Sequence, residues 1–222
     1  MSVVRPEFGP TLPELLAPRV RALGRRGRVA LCAAAVLLVL AVVAALALRD
    51  GDGRTTVVVR EPIAFNVLVP PSLVRVAPQG GEVLRLQSPP GTEAPQRLTA
   101  TPLRLAPYRG DAGATLAVLT VGLIEEMRAE LPGFVLRGDG RARVNQAPGY
   151  QISYQARIGG RTTYGRRVLV LPESEDGPAP REGLDLDLRA ARSLAVPNVD
   201  AVGRNGALKL PLASFRFGTE RP

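Results

Sequence analysis

The stretch APGYQISYQARIGGRTTYGRRVLVLPE, residues 147–173, carries the pattern that decides the fold. Gly159–Gly160 separates two runs rich in β-branched and aromatic residues, as expected for two strands joined by a tight turn. The second run, RRVLVLPE, is apolar at both alternating sets of positions. A strand of this composition is buried on both faces of its sheet. The stretch therefore predicts a hairpin within a sheet that is covered on both sides.

The length of the hairpin loop decides which side chains share a face. A two-residue loop would pair Ile152 with Arg167 and place an arginine among apolar neighbours. A three-residue loop, residues 159–161, pairs Ile152 with Val168 instead. We therefore predict the three-residue loop. Its packed face would contain Tyr150, Ile152, Tyr154, Ala156, Tyr164 and Val168, and its polar face Gln151, Ser153, Gln155, Arg157 and Arg167.

The same register predicts a cationic surface on the hairpin. Arg157 and Arg167 would share the polar face, and Arg161 would lie at the tip. Three such charges could make a weak, salt-sensitive contact with an anionic component of the cell envelope. The alternative is an ordinary solvated end of the hairpin.

Strand patterns also precede the hairpin. FNVLVPPSLV (65–74), EVLRLQS (82–88) and RLTATPLRLA (97–106) each predict a strand. Pro102, in the third, argues for an edge strand or a bulge, because proline cannot donate to a sheet ladder.

One segment outside the amino-terminal region has a clear helical pattern. GDAGATLAVLTVGLIEEMRAELPG (110–133) predicts a helix that Asp111 caps and Pro132–Gly133 ends. Its predicted core stripe is Leu116, Leu119, Leu123, Met127 and Leu131.

The segment REGLDLDLRAA (181–191) alternates leucine with charged residues. This pattern predicts a strand whose leucines, Leu184, Leu186 and Leu188, point inward. Asp185 and Asp187 then project from the opposite face. Paired carboxylates can serve acid–base chemistry or bind a hard cation, but the alternation favours a solvent-exposed face.

The chain closes with NVDAVGRNGALKLPLASFRFG (198–218), which predicts a short helix interrupted by Pro211 and an extended piece through Phe215 and Phe217. Runs of strands punctuated by helices indicate an α+β fold. We therefore predict one antiparallel-sheet domain covered by helices.

Several segments, in this order, resemble the Mog1/PsbP-like α/β/α sandwich family, and more narrowly its uncharacterised actinobacterial membrane-anchored members. The resemblance covers residues 63–218 and implies a domain that binds partners or assists complexes rather than catalyses. It supplies no catalytic residue. The segments are FNVLVPPSLV, the helix end ELPG (130–133), APGYQISYQARIGG, YGRRVLVLPE and LASFRFG (212–218).

Residues 29–48 contain no charged residue, proline or glycine. Twenty helical residues span about 30 Å, the thickness of the hydrocarbon core of a bilayer. Arginines precede this run, which predicts a membrane-spanning helix with a cytoplasmic amino terminus and an extracytoplasmic carboxy-terminal part. The alternative is a signal peptide cleaved after Ala47. The flanking arginines are Arg19, Arg21, Arg25, Arg26 and Arg28.

These observations divide the chain into five predicted parts. They are a basic cytoplasmic tail (1–28), a transmembrane helix (29–48), a linker (49–61), an extracytoplasmic α+β domain (62–218) and a short tail (219–222). The basic end of the first part is expected to lie on anionic headgroups, or alternatively to dock as a helix on a partner.

Composition excludes several kinds of active site within this sequence. It has no histidine, so a Ser-His-Asp triad, a Cys-His pair and a histidine-ligated zinc site are impossible. The single cysteine, Cys32, lies in the apolar run, so the exported part has no disulfide and no thiolate site. Ser214 with Lys209 has the residue types of a Ser-Lys catalytic dyad, but their place at a helix end favours a structural role. RGDG (137–140) contains an adhesion tripeptide, but Asp-Gly is an ordinary turn sequence.

The basic residues outnumber the acidic ones by 29 to 20, and Lys209 is the only lysine. Such arginine usage, with abundant alanine, glycine and proline, is typical of a GC-rich bacterial genome. We expect a non-enzymatic binding or accessory domain of the bacterial cell envelope, integral to the membrane, with an envelope protein as partner. We expect no cofactor, no metal and no nucleic acid. The alternatives are a cationic domain that contacts anionic lipid or wall polymer, and a histidine-free hydrolase.

Overall fold

The computed structural model describes residues 53–108, 112–173 and 180–220, together with Gly24, Ala34, Val36 and Leu37. The predicted tail (1–28) and membrane-spanning segment (29–48) lie outside the described residues apart from these four positions, of which the last three are helical. The helix cap predicted at Asp111 also lies outside them. Among the described residues, no helix has both the length and the hydropathy needed to cross a bilayer.

The chain divides into two compact units, Met1–Asp52 and Gly53–Pro222. The second unit begins before residue 62, where we predicted the start of the domain. Strand β1 (Thr55–Val59) falls in the predicted linker and pairs with the strand that follows it. Its valines, Val57 and Val59, are buried in the core, which is why this segment is part of the domain.

Seven strands form the main sheet, in the order β3-β4-β5-β9-β8-β7-β6, and every neighbouring pair is antiparallel. The predicted antiparallel sheet is thus confirmed. The strands are β3 (Val74–Val76), β4 (Leu84–Gln87), β5 (Gln96–Arg104), β6 (Val135–Val144), β7 (Ala147–Ile158), β8 (Arg161–Val170) and β9 (Glu182–Ala191).

A smaller sheet packs on one face of the main sheet, which we call the core face. It has the order β1-β2-β10, with β2 at Phe65–Val69 and β10 at Arg216–Phe217. The helices described in the second unit are α1 (Ala112–Glu130) and α2 (Lys209–Ser214), and a 3-10 turn (Val199–Ala201) precedes α2. The apolar core lies between the small sheet with α2 and the core face. The prediction that helices alone cover the sheet is therefore only partly right.

Helix α1 packs on the opposite face, which we call the helix face. Its buried side chains contact the apolar side chains of β7 and β8 on that face, and strand β8 is buried on both sides, as predicted. Val168 and Val170 point to the core face, whereas Leu169 and Leu171 point to the helix face, and each is at most 1% exposed. The predicted inward leucines of β9, Leu184, Leu186 and Leu188, are likewise buried on the core face.

The buried stripe of α1 differs from the predicted one at one position. Leu119 is 40% exposed, and Thr120 is buried in its place. Successive residues of an α-helix are about 100° apart around the axis. Thr120 therefore lies about 40° from Leu116, on the same side as the buried Met127. Leu119 lies about 60° from Leu116 on the opposite side. The Thr120 hydroxyl donates a hydrogen bond to the carbonyl of Leu116 at 2.6 Å, so burying this polar side chain leaves no unsatisfied donor.

The predicted three-residue hairpin loop is wrong. Ile158 pairs with Arg161, so the loop is the two residues Gly159 and Gly160. Both have positive φ, as a type I′ turn requires. Ile152 therefore pairs with Arg167, and the side chains of Tyr164 and Val168 belong to the face opposite to that of Ile152, because a one-residue change of register moves a strand's side chains to the other face.

Two prolines occupy positions where a missing N–H costs little. Pro102 marks neither the edge strand nor the bulge that we predicted, because β5 lies inside the sheet and its pairing with β9 is continuous. The pairing of β5 with β4, however, ends at Ala100. The Ala100 carbonyl accepts a hydrogen bond from the amide of Val83 on the β4 side. The nitrogen of Pro102, two residues on, faces the same side, but β4 does not extend that far, so no ladder hydrogen bond is lost there. Pro211 does not interrupt α2 but lies in its first turn, where N–H groups have no partner within the helix.

Candidate functional site

Strand β9 places a row of charged side chains on the helix face. Asp185, Asp187 and Arg189 alternate with the buried leucines, and Arg167 of β8 lies opposite Asp187. This face was predicted to be solvent-exposed, but Asp187 is only 8% exposed. Charged groups at this depth need partners. Arg167 of β8 is the partner of Asp185, whereas Asp187 is bound by Tyr154 of β7 and by Arg189 of β9 itself.

Arg167 and Asp185 form a bidentate ion pair. The Nη2 of Arg167 lies 2.6 Å from Oδ2 of Asp185, and its Nε donates to both carboxylate oxygens at 2.9–3.0 Å. Burial alone would lower the pKa of Arg167, but the hydrogen bonds to Asp185 and the negative charges of Asp185 and Asp187 together outweigh burial and raise the pKa. This pair explains how the two-residue loop can place an arginine opposite Ile152.

A second network runs from Phe134 through Tyr154 and Asp187 to Arg189, and so connects the apolar side chains of the helix face with its charged ones. Tyr154 stacks on Phe134 with ring centroids 5.7 Å apart, and its hydroxyl donates to Asp187 at 3.0 Å. The other carboxylate oxygen of Asp187 accepts from Nε of Arg189 at 2.7 Å. Burial, then the charge of Asp187, raises the pKa of Tyr154 well above that of a free tyrosine. The network holds Arg189 in a fixed orientation.

Arg97 lies directly opposite Arg189 on the neighbouring strand. Among the described residues, no carboxylate or carbonyl oxygen accepts a hydrogen bond from its guanidinium. Burial lowers the pKa of Arg97, and the positive charge of Arg189 lowers it further. Two like charges facing each other across strands destabilise a sheet, so this pair has no structural benefit of its own.

These two arginines line a cavity of about 490 Å³ at one end of the sheet. We call this end the loop edge: it comprises residues 88–95, 159–161 and 192–198. Arg161 completes the cationic lining, and the described residues that line the cavity include no acidic side chain. Apolar contact is provided by Pro89, Pro90, Pro95 and Ile158.

A wider cavity of about 1040 Å³ adjoins the first along the same edge. Arg161 lines both cavities, and its Nη1 donates to the carbonyl of Glu93. Leu194, in the loop after β9, borders the wider cavity and is fully exposed.

The predicted arginine patch is not one surface. Arg161 and Arg167 lie on the helix face, whereas Arg157 projects from the core-face side of β7 and is exposed. Arg167 is neutralised by Asp185, and only Arg161 of the three lines the cavities.

The other candidate residues take structural roles. The Ser214 hydroxyl accepts from the amide of Leu68 and donates to the carbonyl of Leu210, each at 2.8 Å, so it ties the end of α2 to β2. RGDG lies within β6 beside a bulge rather than in a turn, and Asp139 accepts from the Tyr150 hydroxyl. No cluster of three or more acidic or cysteine side chains suited to a metal occurs among the described residues.

Arg97 and Arg189 were missed from the sequence. The signal lay in the charged positions that alternate with leucine in LDLDLRA (184–190) and in the single arginine of QRLTAT (96–101). Only the pairing of β5 with β9 makes them neighbours, and that pairing joins segments far apart in the chain.

No family model and no curated protein sequence matches the chain. Among solved structures, the chain is similar to cyanobacterial PsbP (CyanoP) of Synechocystis, with a TM-score of 0.51 and 8% identity over 75% of this chain and 94% of that one. The domain has the Mog1/PsbP-like fold.

Two further structures are similar at lower scores. LpqN of Mycobacterium tuberculosis, described as involved in cell envelope biogenesis, has a TM-score of 0.47 and 14% identity over 78% of this chain and 94% of its own. The Ran-binding protein Mog1p of Saccharomyces cerevisiae has a TM-score of 0.41 and 9% identity over 64% and 78%.

Proposed function

We propose that the protein is a single-pass membrane protein of the bacterial cell envelope, whose Mog1/PsbP-like domain is a non-enzymatic binding or accessory domain outside the cytoplasm. The observation that carries the binding role is the loop edge, where two open cavities meet at Arg161. Cavities of several hundred Å³ are typical of ligand and partner sites. An envelope protein is the proposed partner, bound at the wider cavity beside Leu194.

The proposal of a non-enzymatic role is supported by how the polar groups are used. The carboxylates of Asp185 and Asp187 are held by arginines, and the Ser214 hydroxyl bonds to backbone. The sequence has no histidine. A general acid or base must be able to reach a substrate proton, and these groups already have fixed partners.

Support for the proposed location comes from residues 29–48, which are uncharged, and from the arginines that precede them. Lysine and arginine near an apolar segment are retained in the cytoplasm. We expect the full chain to stay in membranes after a carbonate wash, and external protease to leave only a small amino-terminal fragment. Recovery of a soluble form that begins after Ala47 would instead establish a cleaved signal peptide.

The binding role is tested by photo-crosslinking in intact cells. A photoreactive amino acid at Leu194, on the loop edge, should capture one defined envelope protein, and the same group at Glu126, exposed on α1, should not. The Glu126 position reports chance collisions at the same protein concentration. Equal capture from both positions, or none from Leu194, would contradict the proposed role of the loop edge.

A further inference from the structure

The smaller cavity at the loop edge contains an unbalanced positive charge. Arg189 is paired with Asp187, but within the described residues Arg97 has no hydrogen-bonded acceptor. Arg161 donates to a neutral carbonyl, that of Glu93, so its charge is not neutralised by this contact. Two positive charges thus remain over the cavity after the one internal ion pair is counted.

The cost of this arrangement points to a ligand. Arg97 is half-buried and faces Arg189 across the strand pair, where like charges destabilise the sheet. Partial burial also removes some of the water around the Arg97 guanidinium, and no protein acceptor replaces that water within the described residues. An anion bound between the guanidinium groups of Arg97 and Arg189 would reduce both the repulsion between them and the loss of hydration at Arg97. It would do so by accepting charge-assisted hydrogen bonds, which are about twice as strong as neutral ones.

The charge and shape of the cavity select the kind of anion. The unneutralised charges of Arg97 and Arg161 match a dianion better than a single carboxylate. A planar guanidinium group can also donate to two phosphate oxygens at once. The walls contributed by Pro89, Pro90 and Ile158 are apolar, so they suit the uncharged part of an organic molecule rather than a bare ion.

We propose that this cavity binds the phosphate group of an organic phosphate ester, with Arg97 and Arg189 holding the phosphate and Arg161 closing the rim. The proposal deepens the binding role of the loop edge and rests on it. The phosphate could belong to a soluble ester or to a phospholipid headgroup, and the chemistry of recognition is the same for both.

Phosphate binding is tested by calorimetry with the full chain in a non-ionic detergent. The probes are inorganic phosphate, glycerol 3-phosphate, a short-chain phosphatidylglycerol and, for comparison, acetate. We expect saturable binding of glycerol 3-phosphate or of the lipid, tighter than that of inorganic phosphate and of acetate. The tighter of the two organic probes identifies the source. Acetate binding as tight as either organic probe, or no binding of either organic phosphate at about 10 mM, would overturn the proposal.

Arg97→Gln is the decisive variant, with Arg75→Gln, an exposed arginine of β3 in the same sheet, as its matched control. Arg97→Gln should weaken binding of the organic phosphate at least tenfold, and Arg75→Gln should change it less than twofold. Equal weakening by both variants would show only a general charge effect and would overturn the assignment.

Thermal unfolding keeps the test independent of folding defects. Without ligand, Arg97→Gln should unfold at the same or a higher temperature than the parent chain, because it removes a like charge opposite Arg189. Added phosphate ester should raise the unfolding temperature of the parent and not that of the variant. A variant that is less stable without ligand would contradict the account of Arg97. If phosphate binding fails while Leu194 still captures its partner, only this inference falls.

Discussion

Gly165 determines how Tyr154 reaches the charged part of the helix face. It pairs with Tyr154 across β7 and β8, and a Cβ added at this position would overlap the tyrosine ring and its hydroxyl. The absence of a side chain lets the ring cross β8 and donate to Asp187 on β9. The orientation of Arg189 therefore depends on Gly165. Because the φ of Gly165 is not positive, this glycine is required for the space it leaves and not for its backbone conformation.

Gly165→Ala should destabilise the domain by about 1–3 kcal/mol, the usual cost of overpacking a core. Tyr154 is fully buried, so its ring can move only by disturbing the stack on Phe134. The free energy of unfolding is measured by urea denaturation.

Gly140→Ala is the matched control for Gly165→Ala. Gly140 also lies inside a strand, but a Cβ there meets no atom within 4 Å. Its effect should stay within about 0.5 kcal/mol. If the two glycine variants are equally stable, Tyr154 does not occupy the space over Gly165.

At the scale of the element, α1 shows how a helix can expose leucine and bury threonine. Leu116 is 1% exposed and packs with Leu169 and Leu171 of the sheet. Leu119 lies on the solvent side, next to the exposed Val118. The two leucines are one turn apart in the same helix, so they have the same helix propensity and differ in burial.

Leu116→Ala should therefore cost about 2–5 kcal/mol of unfolding free energy, as a large-to-small change in a core. Leu119→Ala should change it by no more than about 0.5 kcal/mol. Both values come from urea unfolding of the same chain. A large loss for Leu119→Ala would mean that a partner or another part of the chain covers this side of α1.

At the scale of the whole molecule, β1 joins the amino-terminal end of the domain to its core. It forms one edge of the small sheet by pairing with β2, and its valines pack against the main sheet. The small sheet has only three strands, of which β10 is two residues long, so β2 depends on β1 for most of its backbone partners.

Two fragments test this dependence. The fragment 53–222 should unfold in one cooperative transition without reductant or metal, whereas the fragment 62–222, which lacks β1, should be less stable by several kcal/mol, since two buried valines and a ladder are lost. Denaturation is followed by circular dichroism. Equal midpoints for the two fragments would show that β1 adds nothing to the domain.

Local patterns in the sequence were sufficient for most of the elements. The alternation of leucine with charge in 184–190 identified β9 and its inward face, and the all-apolar VLVL of 168–171 identified a strand buried on both sides. The helical spacing from Leu116 to Met127 identified α1. These predictions succeed because burial of a face leaves a period of two or of 3.6 in the residues of the element itself.

The tertiary structure alone decided the hairpin register and the site. Gly159–Gly160 is compatible with loops of two or three residues, and the compensating charge for Arg167 is Asp185 on another strand. The juxtaposition of Arg97 with Arg189 likewise depends on β5 pairing with β9. The periodicity of one strand reports which of its faces is buried, but it carries no information about which strand lies beside it. The charge of Arg167 is balanced, and that of Arg97 left unbalanced, by residues of other strands.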